Sequence, residues 1–256
     1  MGDFFTEIYS TYSNQVYNLA YRMTGNVEVA EDITQETFAK VFDNYHRFRG
    51  DSHVFTWIYT ITKNICLQHI QKTRRGTFKS IEGLIERIGD RKENNQYEEI
   101  EKKCYITQVK NGCLLGLLRC LSFHQRIAFI LHIFNDVSLS DISRIVGKSE
   151  NATRILIHRA RMNIKRFLCH NCSLYQENNK CKCENLIAFS LQEGWIQKYD
   201  PSVAPDAIEA ELKVFKNEID LYRTLPEIDD GNKLKDRILK IIEENDLTIF
   251  SDKKVK

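Results

Sequence analysis

The most constraining feature of the chain is the segment 139–161, which predicts two short helices around a tight turn. Ile142, Ile145 and Val146 recur at helical spacing and give the first of these helices one apolar face. Gly147 follows directly, and glycine readily adopts the positive φ with which many helices end. The segment therefore predicts a helix-turn-helix.

The second helix of this segment is strongly basic. Ser149 or Asn151 is expected to cap it by accepting hydrogen bonds from its first backbone N–H groups. Between Arg144 and Arg166 the chain has seven Lys or Arg residues and one acid, Glu150. A helix in the DNA major groove needs base-reading side chains near its N-terminus and cations beside the phosphates. We interpret the segment as a DNA-binding unit, and the alternative is a solvated basic face of an unrelated helical bundle.

Residues 4–70 predict further helices, one of which combines acids with aromatic residues. Within this helix the face expected to be buried consists of Ala30, Ile33, Thr37 and Val41. Its other side carries Glu28, Glu31, Asp32, Gln35 and Glu36, opposed only by Lys40. Phe38 and Phe42 lie beside these acids, which favours a docking face for a protein partner over a merely solvated acidic face.

The segment 48–66 interleaves aromatic residues with basic ones in a loop and the helix predicted after it. Between Arg47 and Arg75 there are six Lys or Arg residues and one acid. Aromatic faces stack on unpaired bases while cations hold the backbone, so the element suits a melted nucleic-acid strand. The alternative is that Trp57 and Tyr59 are core aromatic residues.

These segments occur in an order that resembles a known family. The chain reads AEDITQETFAKVF, then FRGDS, then TWIYTITKN, then a charged stretch, then HRARMNIKRFL. The pattern is similar to bacterial RNA polymerase sigma factors of the small extracytoplasmic-function (ECF) type, over residues 5–75 and 110–168. The resemblance implies two small helical domains. The chain is longer than such a protein needs, and its few prolines favour an all-α chain with a helical C-terminal extension. The predicted divisions are region 2 at 1–75, a flexible linker at 76–111, region 4 at 112–168 and the extension at 169–256.

The resemblance also implies which residues meet the polymerase and the promoter. Region 2 would bind the β′ clamp helices of core RNA polymerase through Asp32, Gln35, Glu36, Phe38 and Val41. A loop of region 2 would flip a base of the −10 DNA element out of its stack, through Arg49, Gly50, Asp51 and Ser52. The helix after that loop would support the melted strand through Thr56, Trp57, Lys63 and Asn64.

Region 4 of the family places its recognition helix in the major groove of the −35 element and also contacts the β flap of the polymerase. The residues expected to face DNA are Ala152, Thr153, Arg154, His158, Arg159, Arg161 and Lys165. At this spacing His158 either touches a phosphate or packs against its own domain. The resemblance admits an anti-sigma factor as a further partner.

The segment after region 4 carries four closely spaced cysteines, Cys169, Cys172, Cys181 and Cys183. Four thiolates at these spacings can close a tetrahedral Zn²⁺ site, with His170 as a substitute ligand. Cu(I), or reduced cysteines without any metal, are the alternatives. Three other cysteines neighbour apolar residues and are expected to be core thiols, Cys66, Cys113 and Cys120. A disulfide framework is not expected, because nothing marks the chain as secreted.

Residues 200–256 are acidic, with fourteen acids and ten Lys or Arg residues, although the whole chain has a net charge of +2. The segments 206–222 and 232–245 predict two amphipathic helices. This extension either folds back over the basic surface as an inhibitor or serves as a spacer or partner-binding arm.

Composition sets the remaining expectations. No apolar run is long enough to span a bilayer and no signal peptide opens the chain, so we expect a cytoplasmic protein without membrane contact. The expected function is promoter-specific transcription initiation without catalysis by the chain itself. A stand-alone, metal-responsive helix-turn-helix regulator is the alternative. A zinc-dependent nucleic-acid enzyme is disfavoured, because the chain has no H-x-E or H-E-x-x-H motif.

Overall fold

The computed structural model describes residues 2–45, 48, 53–71, 76–88, 97–135 and 137–198. This part of the chain is all-α, as predicted, and has no strand beyond an isolated bridge between Cys172 and Cys181. Its helices are α1 (Gly2–Thr24), α2 (Val27–Asn44), α3 (Val54–Gln71), α4 (Phe78–Ile88), α5 (Glu99–Cys120), α6 (Phe123–Ile133), α7 (Leu139–Val146), α8 (Glu150–Asn171) and α9 (Ile187–Gln192). A 3₁₀ helix at Cys183–Leu186 leads into α9.

The first three helices pack around one apolar core. The turn between α1 and α2 uses Gly25 at a φ of 69°, a left-handed conformation that suits glycine. Asn26 then caps α2, its side-chain oxygen accepting a hydrogen bond of 2.9 Å from the backbone N–H of Val29. The buried face predicted for α2 is confirmed, since its four members have no more than a trace of exposed surface: Ala30, Ile33, Thr37 and Val41.

The predicted helix-turn-helix is confirmed in α7 and α8. Gly147 ends α7 in the left-handed region with a φ of 71°. Of the two candidate caps for the second helix, Ser149 is the one used, and its hydroxyl accepts a hydrogen bond of 3.2 Å from the backbone N–H of Ala152. α6 supports this pair and begins with a capping box between Ser122 and Gln125.

The predicted linker contains more helix than a flexible connector would. α4 has the apolar face expected from its sequence, with Ile85 and Ile88 buried. α5 begins at Glu99 and continues through the division predicted at 111/112. Its first half is stabilised by tertiary contacts that the charged sequence does not reveal, because Tyr105 packs in a small core with residues of the segment that follows α8.

The segment after α8 folds into a short hairpin. The backbone N–H of Ser173 donates to the carbonyl of Cys181 (3.1 Å), and the N–H of Cys181 donates to the carbonyl of Asn171 (3.1 Å). The side-chain amide of Asn179 donates to the carbonyls of Cys169 (2.9 Å) and Cys172 (3.0 Å). The hairpin leads directly into the 3₁₀ helix, which packs against α5.

The N-terminal and helix-turn-helix parts touch each other. α3 packs against α7, and the Thr56 hydroxyl donates to Asp141 Oδ1 over 3.2 Å. Asn135 Nδ2 donates to the Tyr59 hydroxyl over 3.1 Å. The guanidinium of Arg126 is buried and donates to the backbone carbonyl of Met23 at the end of α1. These contacts join the two parts into one packed arrangement.

Some expectations concern segments outside the described residues. They include the base-reading loop at 49–52 and the acidic helices at 206–222 and 232–245. Within the described residues, no helix combines the length and the apolar character that crossing a bilayer requires.

Candidate nucleic-acid and partner interfaces

An aromatic groove lies between α1 and α2. It is lined by Phe5, Tyr9, Thr34, Gln35, Phe38, Ala39, Phe42 and Asp43. The rings of Tyr9 and Phe38 are 4.8 Å apart and those of Phe5 and Phe42 are 5.1 Å apart, both edge to face. Phe42 is 56% exposed and Tyr9 is 49% exposed. Large aromatic side chains that stay this exposed next to acids are typical of protein-docking surfaces.

The residues predicted to bind the polymerase divide into two groups. Asp32 and Gln35 are exposed, and Glu36 is partly exposed. Phe38 and Val41 are buried, at 3% and 0% exposure, which corrects their prediction as contact residues. Both lie on the helix face that packs against the core, and Phe38 reaches the groove only as part of its floor.

Glu36 is held within its own domain. Its carboxylate accepts a hydrogen bond of 2.7 Å from Lys40 Nζ and lies 3.7 Å from His69 Nε2 of α3. The hydrogen bond from Lys40 is the main cause that lowers the pKa of Glu36. This acid therefore contributes less free negative charge to the surface than Asp32 does.

Sequence reasoning missed the contribution of α1 to this surface. Phe5 and Tyr9 are not among the residues predicted to contact the polymerase, yet both line the groove, and the Tyr9 side chain is half exposed. The signal that could have found them is their spacing of four residues, which places two aromatic rings on one helix face.

The residues predicted to support a melted strand lie along α3. Thr56 is buried under α7, where its hydroxyl donates to Asp141, so its side chain does not face solvent in this arrangement. Trp57 is partly buried, with its ring 5.1 Å from that of Phe48. Lys63 is partly buried, which lowers the pKa of its ammonium group, and Asn64 is exposed.

Tyr59 follows the alternative interpretation and is a core residue. It is 2% exposed, and its hydroxyl donates to Gln15 Oε1 over 3.1 Å while accepting from Asn135. Burial raises the pKa of Tyr59 to about 12. Trp57 precedes the buried Ile58 in α3. It lies at the edge between core and surface, and its side chain is partly accessible.

The exposed side of α8 is basic. Arg154, His158 and Arg159 are exposed and lie at i, i+4 and i+5, so they share one side of the helix. Ile155, 43% exposed, lies next to them and is not among the residues predicted to face DNA. Ala152 and Lys165 are partly exposed.

Two residues predicted to face DNA lie elsewhere. Thr153 is fully buried, and its hydroxyl donates to the backbone carbonyl of Ser149 over 3.0 Å, so it packs inside the helix-turn-helix. Arg161 is only partly exposed and lies beside His132 of α6. Burial, with the charge of Arg161 as a second cause, lowers the pKa of His132 to about 4. Both predictions are corrected because helical phase turns these side chains towards the domain interior.

The exposed position of His158 leaves its interpretation as a phosphate contact open. Partial burial together with the charges of Arg161 and Arg159 lowers the pKa of His158. The shift favours the neutral imidazole, which can form hydrogen bonds but carries no positive charge.

The four tail cysteines lie at the end of α8, in the hairpin and in the 3₁₀ helix, and their binding of a metal stays a prediction. Cys172 and Cys181 are buried neighbours across the backbone bridge. Cys183 opens the 3₁₀ helix against α5, whereas Cys169 lies inside α8. Burial is the main cause that raises the pKa of Cys181 to about 12 and that of Cys183 to about 11. Among the described residues, no group of three or more His, Cys, Asp or Glu side chains already stands at metal-ligand spacing.

Comparisons with known proteins match the two helical units separately. Residues 8–76 match the family profile described as sigma-70 region 2, and residues 111–164 match the profile described as sigma-70, region 4. The RNA polymerase sigma factor YlaC of Bacillus subtilis is 28% identical over 167 residues, which span 64% of this chain and 91% of YlaC. The ECF RNA polymerase sigma factor SigW of the same organism is 27% identical over 173 residues, spanning 65% of this chain and 89% of SigW.

Two further matches extend the comparison. The ECF RNA polymerase sigma factor BldN of Streptomyces coelicolor is 28% identical over 168 residues, which span 65% of this chain and 61% of BldN. Among solved structures, the sigma factor RpoE of Bartonella quintana in complex with the anti-sigma factor NepR aligns with a TM-score of 0.46 at 21% identity. That alignment covers 66% of this chain and 98% of the other.

Proposed function

Because the chain belongs to the sigma-70 family, as a sigma factor of the ECF type, we propose that it directs promoter-specific transcription initiation as a subunit of RNA polymerase. The observation that supports this most directly is the presence of both region 2 and region 4 in one chain, in that order. Sigma factors are DNA-binding initiation factors, and this one acts where bacterial transcription occurs, in the cytoplasm. A metal-responsive regulator that works without polymerase has no comparable support.

The groove between α1 and α2 is the proposed docking site for the clamp helices of the β′ subunit. Tyr9 and Phe42 supply exposed aromatic surface, and Asp32 and Gln35 supply the polar border beside it. Buried aromatic anchors surrounded by polar contacts are the arrangement that gives protein interfaces most of their affinity. The proposal therefore replaces Phe38 and Val41 of the original set with Tyr9 and Phe42.

The exposed side of α8 is the proposed −35 reader, with Arg154, His158 and Arg159 as its leading residues. Arginine near the start of a recognition helix can form bidentate hydrogen bonds to guanine, and the remaining cations contact phosphates. Trp57, Lys63 and Asn64 are the accessible part of the proposed −10 surface on α3.

Promoter recognition requires the two parts of the chain to separate. By the positions that name them, the −10 and −35 elements are about 25 nucleotides apart, which is about 85 Å along B-DNA at 3.4 Å per nucleotide. In the described arrangement α3 and α7 touch, and Thr56 lies 3.2 Å from Asp141. A chain in this closed arrangement cannot reach both elements at once. We propose that binding to core polymerase opens the α3–α7 contact and exposes Thr56 to the promoter strand.

Run-off transcription with purified core polymerase on genomic fragments tests the function, with a core-binding pull-down in parallel. We expect core binding and discrete transcripts that depend on the chain. The paired variant Tyr9→Ala/Phe42→Ala should reduce core binding, whereas Trp195→Ala, which removes an equally exposed aromatic ring outside the groove, should not. DNA binding without any core binding would support the stand-alone regulator instead.

Energy transfer between dyes on exposed Ser10 and Lys148 tests the opening. Efficiency should be high for the chain alone and low in the complex with core polymerase and promoter. Unchanged efficiency in an active complex would contradict the opening step while leaving the function itself intact.

A further inference from the structure

We propose that Cys113 of α5 completes a four-thiolate metal site with Cys172, Cys181 and Cys183 of the tail hairpin, and that Zn²⁺ is the ion it takes. The sequence pattern points to Cys169 as the fourth ligand, since it forms a C-x₂-C pair with Cys172. The fold instead brings the hairpin against a cysteine 59 residues before Cys172 in the chain.

The first step of the argument is the hairpin itself. Its two backbone hydrogen bonds and the bridge at Cys172 and Cys181 place these residues opposite each other on neighbouring segments. The carbonyl of Cys172 also accepts from the N–H groups of Tyr175 (3.0 Å) and Gln176 (3.1 Å), which turns the chain sharply after the first cysteine. A tight turn after one cysteine and a second cysteine across from it is a preorganised half of a metal site.

The second step is the docking of this hairpin on α5. The 3₁₀ helix that begins at Cys183 packs against α5, and its Glu184 carboxylate lies 3.5 Å from Lys102 Nζ. Further along, the N–H of Gln197 donates to Gln108 Oε1 over 2.8 Å, and Gln108 Nε2 donates back to the Gln197 carbonyl over 3.3 Å. Contacts at Lys102 and Gln108 hold the segment after Cys183 along α5.

The third step is the position of Cys113. Val109 of α5 packs in the small core that this helix shares with the tail, and Cys113 follows four residues later on the same side. Cys113 also packs against the apolar cluster that contains Cys172 and Cys181. In agreement with this placement, the charges of Cys181, Cys183 and Cys172 are among the causes, after burial, that raise the pKa of Cys113. Cys113 is therefore a thiol on the side of α5 that holds the tail.

Cys169 lies in a different environment. It belongs to α8 and precedes the turn that starts at Cys172, and its backbone carbonyl is engaged by Asn179. The causes that raise the pKa values of Cys113, Cys181 and Cys183 include the charge of Cys172 but not that of Cys169. His170, the substitute ligand considered from the sequence, is exposed and its Nδ1 pairs with the Arg166 carbonyl over 2.7 Å.

The donor set fits the chemistry of the ion. Four thiolates satisfy the closed tetrahedral coordination of structural Zn²⁺, with Zn–S distances of about 2.3 Å. The four thiols do not yet stand at that spacing. Each cysteine side chain moves by rotation about a single torsion, χ1, so the thiols can converge while the hairpin stays docked. The bound ion would fix the end of α8 and the start of the tail to α5.

Metal content of the purified full-length chain tests the proposal, measured by elemental analysis after dialysis against a weak chelator. The wild-type chain should carry about one Zn²⁺. The variants Cys113→Ser and Cys172→Ser should lose it. Cys169→Ser should keep it, and so should the matched control Cys104→Ser, a partly buried thiol of α5. Loss in Cys169→Ser with retention in Cys113→Ser would overturn the proposal, and so would a wild-type chain without metal or with Cu(I) in place of Zn²⁺.

Two measurements separate a lost ligand from a misfolded chain. Cys113→His supplies another zinc ligand at the same place and should retain metal where Cys113→Ser does not. Titration of the chain with Co²⁺ should give the absorption of a tetrahedral thiolate site, and its thiolate-to-cobalt band should weaken by about one quarter in Cys113→His relative to wild type. A full-strength band in Cys113→His would show that Cys113 is not a ligand.

Discussion

α2 and α8 are both amphipathic helices with one buried face, yet they expose opposite surfaces. α2 presents Asp32, Gln35 and Phe42, an acidic and aromatic surface beside the groove with α1. α8 presents Arg154, His158 and Arg159. The difference separates a surface for a protein partner from one for nucleic acid, and a net charge of +2 for the whole chain conceals it.

The two helices also show the same error of interpretation in opposite directions. In α2, the family resemblance implied Phe38 and Val41 as contact residues, and they are buried. In α8, the resemblance implied that Thr153 and Arg161 face DNA, and they turn inward. Helical phase, and not the polarity of a single residue, decides which side chains a partner can reach.

The largest effect should separate Phe38 from Phe42, two phenylalanines of one helix. Phe38→Ala leaves a cavity under the groove and should lower the free energy of unfolding by about 3–5 kcal/mol. Phe42→Ala removes an exposed ring and should leave stability nearly unchanged while weakening core-polymerase binding by about 2 kcal/mol, about 30-fold. Denaturant unfolding and core-binding titrations measure both quantities. Equal loss of stability in the two variants would contradict the assignment of Phe38 to the buried floor of the groove and of Phe42 to its exposed surface.

The next effect belongs to α8. Arg154→Glu/Arg159→Glu reverses the charge of its exposed side and should weaken binding of promoter DNA by at least about 30-fold, since each bidentate base contact contributes about 1–3 kcal/mol. Binding to the isolated clamp helices of the β′ subunit should not change, because the proposed docking surface for them lies on α1 and α2. Lys103→Glu on exposed α5 is the matched charge control. A similar loss with Lys103→Glu would indicate a nonspecific effect of net charge.

A smaller effect is expected at Thr153. Thr153→Val keeps the shape of the buried side chain and removes its hydrogen bond to the Ser149 carbonyl, so stability should fall by about 1 kcal/mol. Promoter affinity should stay within about twofold of wild type, because the side chain does not reach the exposed face. Selective loss of promoter binding at unchanged stability would return Thr153 to the DNA-facing set.

Local features of the sequence predicted the helix-turn-helix well. The end of α7 at Gly147 and the cap at Ser149 follow from the conformational preferences of single residues. The burial of Thr153 could also have been predicted, since Thr153 lies four residues before the buried Ile157 and so lies on the same face of α8. Phase alone would have placed it in the core.

Features that depend on distant segments were not predictable in the same way. The burial of Thr56 requires α7 to pack on α3, and the position of Cys113 requires the hairpin to dock on α5. Neither contact leaves a periodic signal in the local sequence. The helical start of α5 at Glu99 was missed for the same reason, because charged residues conceal the contacts of Tyr105 with the tail.

The smallest effect tests the inward position of Arg161 through His132. The unfolded chain binds a proton at the ordinary pKa of His132, about 6.5, whereas the folded chain does so only near its lowered pKa of about 4. The unfolded state therefore binds more protons in this interval, and the free energy of unfolding falls as the pH drops from about 6.5 to about 4. Between pH 7 and 5.5 this contribution should be about 1 kcal/mol, and it should vanish in His132→Gln.

Arg161→Gln removes a nearby positive charge and should raise the pKa of His132 part of the way towards 6.5, measured by NMR titration of the imidazole. A pKa of His132 that Arg161→Gln leaves unchanged would place this arginine away from α6, on the side of α8 that faces DNA.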